Sequence, residues 1–291
     1  MKICTACNAR FDSSGWVCPI CGYTPPEANG FPALAAESAN SSEGFHPEYF
    51  EQLASLEAGN FWFQSRNTLI LLLLKKHVPA PGSFLEIGCG TGFVLSGIAS
   101  AFPYAALAGA EIYSNGLKYA AHRVPGAQFM QMDARNILFE SHFDALGAFD
   151  VLEHIQEDSI VLGQIYRALK PGGTLFLTVP QHPNLWSRQD EMACHICRYT
   201  AEQLKHKVLS AGFDIADVGS FVSLLLPLMW LSRRFGKTGK EGHQDPMAEL
   251  RIGRIANIIL SAIMSIELLL TRTGIRFPVG GSLFLVAQKR A

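Results

Sequence analysis

Neither sign of charge dominates this sequence. It carries 24 Lys and Arg against 25 Asp and Glu, a formal net charge of −1, and charged residues make up only 17% of its 291. Proteins that bind polyanions concentrate basic residues on some face, so the balance gives no reason to expect a nucleic acid as partner. Long apolar runs are missing too. No stretch of about 18 uninterrupted apolar residues occurs, and no membrane-spanning helix is expected. Met1-Lys2-Ile3-Cys4 leads straight into polar and cysteine residues, without the apolar stretch of a secretory leader. The seven cysteines are an odd number, and four of them fall in paired spacing near the start, unlike a disulfide framework. A reducing cytosol is the expected setting. No internal repeat is present. Hydrophobic residues, at 48%, suffice for one large domain plus something small.

That small part is the N-terminus. Cys4-x-x-Cys7 and Cys18-x-x-Cys21 form two knuckles that place four thiolates at the corners of a tetrahedron, the geometry Zn²⁺ takes. Gly22 supplies the tight turn after the second knuckle. A segment this short cannot fold on a hydrophobic core, so the metal would supply its stability. Iron in a rubredoxin-like site would use the same ligands. Residues 1–28 are read as a zinc ribbon, for docking, oligomer contact or substrate presentation, and 29–44 as a linker. From residue 45 onward, short apolar strands alternate with helices. Strands are expected at 83–87, 106–111, 127–131, 143–149, 174–179, 213–218 and 282–288. Helices are expected at 65–77, 93–101, 115–122, 159–169 and 200–211. This order predicts an α/β fold, a Rossmann-like seven-stranded sheet with helices on both faces.

Phe84-Leu85-Glu86-Ile87-Gly88-Cys89-Gly90-Thr91-Gly92 runs from a strand through a glycine turn into a helix. Glycines let backbone approach a ligand closely. A dinucleotide fingerprint needs a further glycine where Phe93 stands. Glu86, inside the strand, would repel a pyrophosphate but suits the amino group of a methionine moiety. These residues resemble the first motif of the class I S-adenosylmethionine-dependent methyltransferases, and the rest of that motif order follows. The resemblance implies that Glu86, Gly88, Cys89, Gly90 and Gly92 cradle the cofactor. Glu111 would accept from both ribose hydroxyls, with Ile112 and Tyr113 against the adenine. Asp133 would accept from the adenine amino group, and the Ala134 amide would meet a ring nitrogen. Phe149, ending the fourth strand, would face the methyl donor. Phe61-Trp62-Phe63-x-x-Arg66-Asn67, Trp186-Ser187-x-x-Asp190 and His195-x-x-Arg198-Tyr199-Thr200 are similar to the type 11 and 12 small-molecule methyltransferases. The likeness covers about residues 45–289.

An acceptor hydroxyl must lose its proton, and three stretches compete for that role. Asp150-x-x-Glu153-His154 could sit on one helical turn and hold a divalent metal, or Asp150 could simply cap the turn. His154 as base, or as a wall of the acceptor pocket, stands ahead of His154 as ligand. His182, just past the fifth strand, lies at the carboxyl edge where such sheets bind ligands. Cys194 and Cys197 are read as free thiols, with His195, Arg198 and Tyr199 lining a substrate lid.

About sixty residues separate the last two strands, and 221–278 are read as an apolar helical insertion. Its first run ends in Trp230 and two arginines. Its second, Ile255 to Leu270, is interrupted by Asn257, Ser261, Ser265 and Glu267. It could cap the core, meet a second subunit in a homo-oligomer, cover a lipid-linked acceptor, or touch the inner face of a membrane. The expected activity is methyl transfer to a small or lipid-like acceptor, mainly at oxygen. The rivals are an RNA methyltransferase guided by its ribbon and a non-catalytic cofactor-binding scaffold.

Overall fold

The computed structural model describes residues 1–37, 49–235 and 250–290. Its centre is a seven-stranded sheet built from β5 (Ser83–Ile87), β6 (Ala106–Glu111), β7 (Gln128–Gln131), β8 (Phe143–Phe149), β9 (Leu169–Pro180), β10 (Phe213–Phe221) and β11 (Ser282–Lys289). Across the sheet the order is β10-β11-β9-β8-β5-β6-β7. β11 runs antiparallel to both its neighbours, and the pairs among β5 to β9 are parallel. Parallel neighbours need helical crossovers: α1 (Tyr49–Leu56) and α2 (Phe61–His77) precede β5, and α3 (Phe93–Ala101), α4 (Ser114–Arg123), α5 (Asp158–Ala168), α6 (Arg188–Met192) and α7 (Ala201–Ser210) lie between later strands. α2 starts where the Asn60 side chain accepts from the Trp62 amide at 2.9 Å, satisfying a donor that helix geometry leaves orphaned. Its Leu69, Ile70, Leu73 and Leu74, at helical spacing, are almost fully buried against the sheet. β9 begins five residues before its expected start at 174, because Leu169-Lys170-Pro171-Gly172-Gly173 already belongs to the strand.

The insertion is helical in its described part. α8 spans Leu226–Phe235 and α9 spans Arg254–Arg272. The expected stretch between them, 236–249, lies outside the described residues, as does 38–48 of the linker. α9 packs along α2 with an inverted pattern. Its buried residues are Met264, Glu267 and Thr271, whereas Ile255, Ile258, Ile259, Ile266 and Leu269 face outward. The polar interruptions seen in the sequence are the anchors. Asn257 accepts from the Phe61 amide at 2.8 Å and donates to the Gly59 carbonyl at 2.9 Å. Glu267 caps the amides of Ser223 and Leu224, both at 2.9 Å. At 19 residues and mean hydropathy 1.6, α9 is also the one described helix long and apolar enough to cross a membrane, where none was expected. Glu267 ties it instead to the chain beside β10.

At the N-terminus, β1 (Lys2–Ile3) pairs with β2 (Arg10–Phe11), and β3 (Glu27–Ala28) with β4 (Phe31–Pro32). Within the stretch read as linker, Ala33 bridges to Gln131 and Leu34 enters the main core. The first knuckle docks on the β7–β8 connection. The Ile3 amide donates to the Leu138 carbonyl at 3.0 Å, and Trp16 meets Phe139 edge to face at 5.4 Å. Lys2 is buried, and its ammonium donates to the carbonyls of Ser13, Ser14 and Gly15 at 2.8–3.0 Å.

Candidate active site

Neighbouring crossovers leave β5 in opposite directions, towards β6 and towards β8. Open sheets bind ligands at such a switch, beyond the carboxyl ends of their strands. A cavity of about 640 Å³ lies there. Its walls come from the ends of four strands: Glu86 to Thr91 after β5, Glu111 to Tyr113 after β6, Met132 to Arg135 after β7, and Phe149 to Val151 after β8. Of the residues expected to hold the cofactor, Glu86, Gly88, Cys89, Gly90, Glu111, Ile112, Asp133, Ala134 and Phe149 all border this one space.

The loop conformation explains its glycines. Gly88 has φ +67°, and a Cβ there would come within 2.5 Å of Val151. Gly92, just behind the cavity wall, has φ +74°, and a Cβ there would strike the Ala120 backbone at 2.7 Å. Only glycine adopts such φ values freely, so the loop can sit between α3 and α4. The Glu111 carboxylate is already oriented, accepting from the Gly90 amide at 3.0 Å and the Tyr113 amide at 3.2 Å. Asp133 is gripped by Arg135 through Nε and Nη2 at 2.7–3.1 Å. Its two oxygens offer more lone pairs than this grip uses. Glu86 is different. It is buried, and its Oε2 has no partner. Burial, reinforced by the nearby Glu111 and Glu57 charges and opposed by Arg66, pushes its pKa up to about 8. A buried carboxyl with one unpartnered oxygen at the edge of a cavity is costly and fits a cationic ligand group there. Cys89 is fully packed, and burial raises its thiol pKa well above the usual range.

Two features were not legible in the sequence. Glu57 accepts from the Thr91 hydroxyl at 2.6–2.7 Å and from Arg123 at 2.5 Å, and Arg123 also donates to the Ala54 carbonyl at 2.8 Å. This buried knot fastens α1 over the glycine loop, which places Phe50, Leu53 and Glu57 on the cavity wall. Arg66, from the Trp62-to-Asn67 motif, pairs with Asp150 and lies over the Trp62 ring at 4.6 Å. Asp150 therefore faces Arg66, and with φ +56° it begins no helix. Leu152–His154 makes a single 3₁₀ turn. Asp150, Glu153 and His154 do not share a helical face.

The two candidate bases are separated. His154 is exposed to the cavity, yet crowding by the surrounding protein, and next to that the neighbouring His195, pushes its pKa down to about 4. It is neutral across the physiological range. His182 lies on a different, apolar groove, beside Leu226, Trp230 and Val279. Arg198 and Tyr199 do not line the cavity. Arg198 donates to Asp190 at 2.6 Å, and the buried Tyr199 hydroxyl donates to Asp158 at 2.7 Å. Those two acidic partners draw them inward and leave Cys194 and Ile196 at the cavity edge.

In the N-terminal knuckles, the Sγ atoms of Cys4, Cys7, Cys18 and Cys21 all lie within 4.8 Å of one another, with Cys4 to Cys21 and Cys7 to Cys18 at 3.7 Å. The separation is too long for a disulfide, whose sulfurs stand about 2.05 Å apart. It fits the edge of a tetrahedron with bonds of about 2.3 Å, the length of a Zn–S bond. The two knuckles are matched: Gly22 at φ +72° follows the second, and Asn8 at φ +57° takes the same place after the first.

A seven-stranded sheet with its ligand cavity at the β5 switch defines the class I methyltransferase fold. A family of methyltransferase domains matches residues 60–218, and the chain belongs to that family. Over 111 residues it is 31% identical to the trans-aconitate 2-methyltransferase of Methylobacterium nodulans, 38% of this chain and 43% of that one. Over 97 residues it is 31% identical to the fatty-acid O-methyltransferase of Mycolicibacterium smegmatis, 32% of this chain and 35% of that one. The chain thus spans less than half the length of either relative. The Haemonchus contortus phosphoethanolamine N-methyltransferase 2, solved with S-adenosyl-L-methionine, superposes with a TM-score of 0.57 at 22% identity, covering 88% of this chain and 60% of that one.

Proposed function

We propose that the protein is an S-adenosylmethionine-dependent methyltransferase that methylates an oxygen of a small acceptor with an apolar part. The observation that carries the reading is the convergence of Glu86, the glycine loop, Glu111 and Asp133 on one cavity at the switch point. Bound there, S-adenosylmethionine supplies an electrophilic methyl group on a sulfonium sulfur. The residues of this chain then have distinct tasks. Glu86 receives the amino group, and Glu111, held by two amides, receives the ribose hydroxyls. Ile112 and Tyr113 flank the adenine, and Asp133 with the Ala134 amide reads its edge. Phe149 and the loop after it shape the space next to the methyl group. His154 stands on the cavity wall beside the space left for the acceptor. Holding donor and acceptor in line is worth more than any single proton transfer in such a displacement.

An oxygen acceptor with apolar character is supported by the cavity's mixed lining, with Trp62, Phe63, Phe93, Phe149 and Ile155 beside the charged groups. It is also supported by the fatty-acid O-methyltransferase among the relatives. Zn²⁺ in the four-thiolate cluster stabilises the ribbon, whose role is docking against the β7–β8 connection. The outward apolar face of α9 rests on a lipid surface. Exposed Arg251, Arg254 and Arg272 stand at its two ends, and its one acidic residue, Glu267, is buried.

Calorimetric titration with S-adenosylmethionine and S-adenosylhomocysteine tests the reading, followed by a screen of carboxylate and phenolic acceptors with alkyl or prenyl chains. Micromolar binding with transfer of labelled methyl to one of them supports it. Well-folded, zinc-loaded protein that binds neither compound overturns it.

A further inference from the structure

Beside His154 lies a group of polar side chains that the cofactor does not use. Glu153 is fully buried, and neither of its carboxylate oxygens has a hydrogen-bond partner. Its Oε1 faces His195 Nε2 at 4.0 Å. The rings of His154 and His195 stand edge to face at 4.9 Å. One ligand atom from each of Glu153, His154 and His195 lies within 4.8 Å of the others.

The outer contacts decide how to read this trio. His195 Nδ1 is 2.9 Å from Asp190 Oδ1, and Asp190 is itself fixed by Arg198 at 2.6 Å. His154 Nδ1 is 3.2 Å from the Cys194 carbonyl. Each Nδ1 therefore has an acceptor, which places its proton there and leaves each Nε2 as a free lone pair. This is how metal-bound histidines are held: a carboxylate or carbonyl on one nitrogen fixes the tautomer and orients the other. A carboxylate with two orphan oxygens completes an acidic, two-imidazole donor set. Buried carboxylates are otherwise paired or hydrogen-bonded.

We propose that Glu153, His154 and His195 bind one divalent first-row cation, with a remaining coordination position for an oxygen of the acceptor. The two-imidazole, one-carboxylate set suits such cations, and the order of affinity among them follows general ligand preferences. Bonds of about 2.1 Å would draw the three atoms inward from their present spacing. His154, which borders the cavity, brings the cation to its wall. The role towards the acceptor rests on the methyltransferase reading; the cation site itself does not. Asp190 is a positioning residue, acting through His195.

Mn²⁺, which prefers oxygen and nitrogen to thiolate ligands, is titrated into the zinc-loaded full chain and followed by electron paramagnetic resonance. One Mn²⁺ per chain is expected. Glu153→Gln and His195→Asn should each weaken it at least about tenfold, and Asp190→Asn by about 10- to 100-fold. Calorimetry with S-adenosylmethionine on the same samples keeps the two readings apart, because Glu153 and His195 do not line the cofactor end. In the wild-type protein, Mn²⁺ should also broaden the imidazole NMR signals of His154 and His195, a readout that needs no variant. If Mn²⁺, Co²⁺ and Zn²⁺ all fail to bind beyond the thiolate cluster, or bind without touching these imidazoles, the site is overturned.

Discussion

Glu86 shows what a binding site costs the protein that keeps it. Its folded pKa of about 8 stands above the 4.5 of an ordinary glutamate. A group raised in this way binds its proton more tightly when folded. Its contribution to stability is fully present below about pH 4.5 and is lost as pH rises through 8. The ligand-free protein should therefore lose stability between about pH 4.5 and 8 relative to Glu86→Gln, with thermal melting of both proteins as the measurement. Cofactor binding runs the other way. An ammonium group favours the carboxylate, so affinity should rise with pH over the same window. In Glu86→Gln the slope should vanish and affinity fall about 10- to 100-fold, the worth of a hydrogen bond to a charged group. A slope that survives in the variant removes Glu86 from the cofactor. Glu111→Ala should cost a similar factor in calorimetry; unchanged affinity refutes the ribose assignment. Glu86 was legible because an acid in a strand that runs into a glycine turn stands out, and Glu111 because it ends the next strand, where the resemblance to class I methyltransferases expects an acid. Glu57 was not, and for Arg66 and Asp190 the motifs marked the residues but not their pairings, since the partners of the three come from 34, 84 and 8 residues away and no period links them.

At the scale of elements, strands and helices of the sheet followed their hydrophobic periods closely; α3 matches its expected limits, Phe93–Ala101. Elements that failed to show were those made by tertiary contact. α1 is held by the Glu57 knot, and α6 is a single short turn with a capping box from Ser187 and Asp190. The reading of 150–154 as a helical turn failed for a local reason. Asp150 takes a left-handed φ to reach Arg66, and His195, forty-one positions on from His154, stands where Asp150 was expected. α9 carries its own prediction. Vesicles containing anionic lipid should sediment the wild-type protein, and Ile258→Glu with Ile266→Glu should reduce that binding at least tenfold, because both exposed positions would meet hydrocarbon. Equal sedimentation of the two proteins, or none of either, removes the lipid surface. The double variant should melt within about 1 kcal/mol of wild type, since neither side chain is buried.

For the whole molecule, the ribbon and the sheet share one boundary at residues 137–142. Stripping the Zn²⁺ proposed for the four thiolates with a strong chelator should unfold the knuckles, whose buried core is Cys4, Phe11 and Cys18. Trp16 would then leave Phe139, so its fluorescence should report the loss. The sheet, with its separate and much larger cores on both faces, should keep most of its far-UV circular dichroism. Loss of all structure on chelation would show that the ribbon is part of the main folding unit. The fold class was readable because strand order and crossover handedness leave few alternatives once the alternation is seen. The seat of the ribbon was not, because it rests on a pairing between Lys2 and Phe139 that no local pattern announces.

The inverted packing of α9 has one more consequence. Its two faces will record different histories as the sequence diverges. Asn257 and Glu267 answer to amides inside the same molecule, so any descendant that keeps the helix in place must keep a hydrogen-bonding group at both. Ile255, Ile258, Ile259, Ile266 and Leu269 touch little of their own chain. If they drift freely to polar residues, the face never had a client. If they exchange only among apolar types while the loops around them change, something outside the molecule has been selecting them.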